Sequence, residues 1–151
     1  RRCLVGSEMC IRDSYKKILI ISSNFYQEIS DNLIEGATNY LKLKKIRYEI
    51  LTVPGSMEIP LFLKKNIDKF LGYIILGCVI KGETDHYHVV KDITLSKIYD
   101  FSYENNFPIS NALLTVENYS QALERSKVDK KNLGENAAKV CLELIKKINE
   151  K

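Results

Sequence analysis

Residues 71–80 read LGYIILGCVI, and residues 16–23 read KKILIISS. Each is an apolar run without alternation. A strand wetted on one face alternates apolar and polar residues; an unbroken run fits a strand covered on both faces. Helices layered on each side supply that cover in α/β folds. These two runs therefore constrain the chain more than any other feature.

The segments between them supply the helices. Residues 29–45 place Ile29, Leu33, Ile34, Ala37, Tyr40 and Leu41 on one helical stripe. Residues 46–53 (IRYEILTV) alternate and are β-rich, and Pro54-Gly55 stops them. Residues 57–70 (MEIPLFLKKNIDKF) read as a short helix with Pro60 near its first turn. A long helix is expected over 86–106, a fourth strand over 108–116 and two helices over 118–126 and 132–149. Leu133, Ala137, Val140, Cys141, Leu144 and Ile148 form the apolar face of the last helix. The order βαβαβαβαα predicts a three-layer αβα fold around a four-stranded parallel sheet, doubly wound and flavodoxin-like. In such sheets ligands bind beyond the carboxyl ends of the strands. Those ends are residues 22–26, 53–58, 80–88 and the end of the 111–116 segment.

Bulk composition narrows the function classes. A chain of 151 residues favours one domain with a real core. No apolar stretch reaches the roughly 20 residues of a membrane span. The net charge of +4 is spread through mixed signs, with no basic block interleaved with aromatics, which argues against nucleic acid. Cys3, Cys10, Cys78 and Cys141 show neither disulfide-framework nor zinc spacing, so a reducing cytoplasm is expected. The first fourteen residues, RRCLVGSEMCIRDS, do not join the pattern that follows. MCIRDS can be encoded by ATG TGT ATA AGA GAC AG, a transposon-end sequence used in DNA library preparation. Residues 1–14 are therefore expected to be a non-native, translated adapter tail, with a single domain over 15–151.

Both histidines of the chain, His86 and His88, follow a Gly-Glu-Thr turn. On a helix, residues two apart face nearly opposite sides, so the pair would not grip one metal ion. No third ligand stands nearby, and no metal is expected. His86, nearer the strand–helix junction, suits proton transfer near neutral pH; an idle N-terminal helix histidine is the competing reading. Gly82, Glu83 and Thr84 form either an anion-binding turn or a plain turn with Thr84 as cap. Ser56 either caps the next helix or, with Glu58, holds polar ligand groups. Phe25 and Tyr26 follow a strand end, where an aromatic stacks on a flat ring or covers the core. Arg125 lies in a polar helix, solvated unless it meets an anion site.

Taken in order, SSNFYQEISDNLIEGA, VPGSMEIP, GCVIKGETDHYHVV, PISNALLTVENYSQALERS and NLGENAA resemble the lumazine synthase family from about residue 16 to 147. VPGxxEIP followed by GxVI[RK]GxTxH is the specific pair. The resemblance implies condensation of 5-amino-6-(D-ribitylamino)uracil with 3,4-dihydroxy-2-butanone 4-phosphate to 6,7-dimethyl-8-ribityllumazine. No cofactor is implied. It implies that Phe25 stacks on the pyrimidine, that Ser56, Met57 and Glu58 hold the ring and ribityl hydroxyls, and that Cys78, Val79 and Ile80 line the pocket. Gly82, Glu83, Thr84 and Arg125 would hold the phosphate, and His86 would move protons. Asn111 falls where the family often has a pocket aromatic given by a neighbouring subunit, in a homopentamer or a multiple of it.

Three residues depart from the family pattern: Lys81 for a frequent Arg, Leu133 for a Lys near the phosphate, and Asn111 for an aromatic. Lys81 keeps the charge without the fork of a guanidinium. Other classes fit less well. A signalling receiver needs acidic residues where Ser22-Ser23 and Gly77-Cys78 stand, and SSNFY is a poor flavin-phosphate loop. A homologue that binds lumazines or flavins, or forms a shell, without turnover is the closer rival.

Overall fold

The computed structural model describes residues 16–150. The adapter expectation for residues 1–14 lies outside the described residues. The elements are β1 (Ile18–Ser23), α1 (Gln27–Leu43), β2 (Tyr48–Val53), a 3-10 turn (Ser56–Glu58), α2 (Ile59–Lys65), β3 (Gly72–Ile80), α3 (His86–Asn105), β4 (Ile109–Val116), α4 (Tyr119–Ser126) and α5 (Leu133–Asn149). All strand pairings are parallel, in the order β2-β1-β3-β4. Among the described residues no helix is long and apolar enough to cross a membrane.

The pleat sorts the core into two layers. Ile18, Ile20, Ile74, Leu76, Ala112 and Leu114 point to the face covered by α1 and α5, meeting Leu33, Ala37, Leu41, Ala138 and Cys141. Leu19, Ile21, Tyr73, Ile75 and Ile109 point to the opposite face, meeting Ile59, Leu63 and Ile98 of α2 and α3. β1 is buried throughout and β3 nearly so. β2, an edge strand, leaves Glu49, Ile50 and Thr52 exposed.

The second helix is shorter than its sequence predicts. Residues 56–58 take a 3-10 turn and α2 runs only to Lys65. Asn66 ends it, its side-chain amide donating to the Phe62 carbonyl at 2.8 Å. Asp68 then takes a left-handed φ of 66°, which an asparagine or aspartate tolerates better than most residues. Ser56 caps no helix: Glu58 holds the cap position of α2, and no side chain bonds there. Pro60 sits in the first turn, where its missing N–H costs nothing.

Candidate active site

The carboxyl ends of β1, β2 and β3 meet at a cavity of about 410 Å³. Phe25 and Tyr26 form its wall where β1 runs into α1. Pro54, Gly55, Ser56, Met57 and Glu58 form a second wall after β2. Cys78, Val79 and Ile80 end β3 beneath it, and His86 and Val90 close it from α3. The lining is mostly apolar, with Glu58 and His86 as its carboxylate and imidazole.

Local sequence explains this shape. Pro54-Gly55 breaks β2, and the chain tightens so that the Glu58 N–H donates to the Gly55 carbonyl at 3.3 Å. A Cβ at Gly55 would lie 2.8 Å from the Glu58 carboxylate, so the glycine lets that group close over the backbone. A Cβ at Gly77 would lie 2.9 Å from Leu113 and 3.3 Å from Ser23. That glycine lets the sheet pack tightly below the cavity. His86 opens α3, and its N–H donates to the Thr84 hydroxyl at 3.3 Å. The cap position belongs to Asp85, whose side chain bonds no helix N–H.

Burial sets the chemistry of the wall. The Cys78 thiol is 6% exposed and is pushed up to about 12 by desolvation. It therefore stays protonated near neutral pH and acts as apolar lining rather than as a nucleophile. Tyr26 is raised from 10.0 by burial and then by the neighbouring Cys78, so it too keeps its proton. His86 is exposed at the rim, where a proton carrier can exchange with solvent.

The anticipated residues divide into two sets. Phe25, Ser56, Met57, Glu58, Cys78, Val79, Ile80 and His86 line the cavity together. Gly82, Glu83, Thr84, Asn111 and Arg125 do not line it. The Arg125 guanidinium turns back on its own helix, donating to the Gln121 carbonyl at 3.2 Å. Asn111 donates to the Tyr99 hydroxyl, and its side-chain oxygen accepts from the Leu113 N–H at 3.1 Å. His88 stands outside the cavity, its ring edge-on to Tyr87. Val90 was not anticipated; its position four residues after His86 on one helix is the signal that would have found it.

The family model for 6,7-dimethyl-8-ribityllumazine synthase matches residues 15–149. The chain belongs to this family. Curated lumazine synthases are similar along most of their length. The protein of that name from Bartonella tribocorum is 41% identical over 131 residues, covering 85% of this chain and 87% of its own. That from Bartonella bacilliformis is 42% identical over 132 residues, with the same coverage. The Paramagnetospirillum magneticum lumazine synthase is 39% identical over 138 residues, 92% of its own length. The cavity thus lies among the segments whose sequence carries the lumazine synthase resemblance. The departure at Leu133 begins α5, where the side chain is partly buried against the core rather than offered to an anion.

Proposed function

We propose that this chain catalyses the lumazine synthase reaction of riboflavin biosynthesis in the cavity bounded by Phe25, Glu58 and His86. As a member of the family it is an enzyme, a transferase acting on small molecules. The observation that carries the site assignment is the meeting, in one cavity, of an exposed aromatic, a carboxylate and a histidine from three strand ends.

Phe25 stacks on the pyrimidine of 5-amino-6-(D-ribitylamino)uracil. Ser56, Met57 and Glu58 hold the ring and the ribityl hydroxyls, and Cys78, Val79 and Ile80 exclude water beneath them. The uracil amine attacks the ketone of 3,4-dihydroxy-2-butanone 4-phosphate, and water leaves to give an imine. Phosphate departs, and the ring closes with loss of water. His86 moves the protons these steps release and require. Gly82, Glu83 and Thr84 hold the phosphate through backbone N–H groups while the Glu83 carboxylate points away, and Arg125 stabilises the departing anion. Two features support the turn assignment. Among the described residues a Cβ at Gly82 would meet nothing within 4 Å, and its φ is not left-handed, so none of them demands glycine there. Much of the acceleration comes from holding two reactive molecules together.

The site is completed by a second copy in a homopentamer, or a multiple of one, with Asn111 and Arg125 reaching it from the neighbour. Their placement outside the cavity of their own chain supports this arrangement. The free thiols Cys78 and Cys141 suit a reducing cytoplasm. The assignment is tested by substrate-selective kinetics. Phe25→Ala should raise KM for the uracil about tenfold, the scale of a lost aromatic stack with its buried area. Arg125→Ala should instead raise KM for the butanone phosphate. Variants that weaken both substrates equally, or neither, would refute the assignment.

A further inference from the structure

The ring of Phe25 is 70% exposed and meets Tyr26 edge-on, with centroids 5.0 Å apart at 72°. Tyr26 meets Tyr119 at 6.3 Å and 60°. The Tyr119 hydroxyl donates to the Glu28 carboxylate at 2.7 Å. Glu28 lies in the first turn of α1 and Tyr119 is the first residue of α4. The ring series thus begins at a hydrogen bond between two helix starts and ends in the cavity wall.

Both helix starts are themselves braced. Asn118 caps α4 by accepting from the Gln121 N–H at 2.8 Å, and the Gln121 side chain accepts from the Glu117 N–H at 2.8 Å. On α1 the Gln27 amide donates to Asp31 at 2.8 Å. Tyr119 and Glu28 do not line the cavity, whereas Tyr26 and Phe25 do. A mobile aromatic must be ordered when ligand binds, and that ordering weakens binding. A ring held beforehand avoids the loss.

We propose that the Tyr119–Glu28 hydrogen bond is a positioning latch: it fixes Tyr26, and through it Phe25, as one preformed aromatic wall for the flat ring of the first substrate. The inference rests on the reaction proposed above. Tyr119 and Glu28 are positioning residues, acting through Tyr26.

The test compares the full chain with Tyr119→Phe, Glu28→Ala and Glu28→Gln by steady-state kinetics and near-UV circular dichroism. Tyr119→Phe and Glu28→Ala raise KM for the ribitylaminouracil about threefold to tenfold, the range of one net hydrogen bond. They leave kcat and the KM for the butanone phosphate unchanged. Glu28→Gln keeps an acceptor oxygen and stays near wild type. Glu28→Ala removes no chromophore, so a change in its tyrosine dichroism, absent from Glu28→Gln, reports loosened rings. Unchanged KM and dichroism in Glu28→Ala, or equal effects in Glu28→Ala and Glu28→Gln, would overturn the latch. A wild-type chain that forms no lumazine overturns the proposed reaction instead, and the dichroism comparison still decides whether the rings are held.

Discussion

His86 is the residue on which the chemical reading turns. It starts α3 at the cavity rim, where it can pass protons between bound substrate and solvent. His86→Ala should lower kcat about a hundredfold, the lower end for a lost general acid–base, and leave both KM values near wild type. Residual turnover is expected because positioning survives; a fully inactive variant that still binds both substrates would contradict this. Sequence reading reached Phe25, residues 56–58 and His86 because each follows a strand end, and a parallel sheet gathers strand ends on one edge; Cys78, Val79 and Ile80, inside β3, came in as pocket lining from the family resemblance alone. It could not place Arg125 or Asn111, because their side-chain directions depend on local partners: the Gln121 carbonyl for one, Tyr99 and Leu113 for the other. Whether Cys78 reacts was equally illegible, since spacing says nothing of the burial that keeps its proton on.

At the scale of elements, the α1–α5 crossing depends on two glycines. A Cβ at Gly134 would overlap the Leu33 carbonyl oxygen, and one at Gly36 would overlap the Asn132 side chain. Gly134→Ala should cost about 1–3 kcal/mol, the usual penalty for overpacking, seen as a lower urea midpoint. The same helix carries Cys141, fully buried and pushed from 9.0 up to about 12, chiefly by desolvation. The folded state keeps this proton while the unfolded chain loses it above about pH 9. The stabilisation is therefore complete below pH 9 and is lost as pH rises toward 12. Each such thiol steepens the decline by up to about 1.4 kcal/mol per pH unit, and Cys78 acts in the same direction. Urea unfolding of Cys141→Ala across this window should show a shallower slope than wild type. Element types were legible because β1 and β3 are unbroken apolar runs while α1 and α5 carry apolar stripes at helical spacing. The end of α2 was not: the Asn66 side-chain bond and the left-handed Asp68 mark it, and neither follows from apolar spacing.

At the scale of the whole molecule, the layers and sheet follow from the two unbroken apolar runs, β1 and β3, lying side by side at the centre. The proposed homopentamer does not follow from one chain, because a partner surface carries no periodic signature of its own. Deletion of residues 1–14 should leave folding and activity intact, checked by melting temperature and turnover; loss of either would contradict the adapter reading. The most direct measurement mixes the purified chain, at catalytic concentration, with 5-amino-6-(D-ribitylamino)uracil and 3,4-dihydroxy-2-butanone 4-phosphate. Lumazine fluorescence and phosphate release are followed together against the uncatalysed rate. Many turnovers per chain, with phosphate and lumazine appearing in equal amounts, is the predicted result. A folded protein that binds the uracil but forms no product above the uncatalysed rate would contradict catalysis and leave a binding or shell-forming protein in its place.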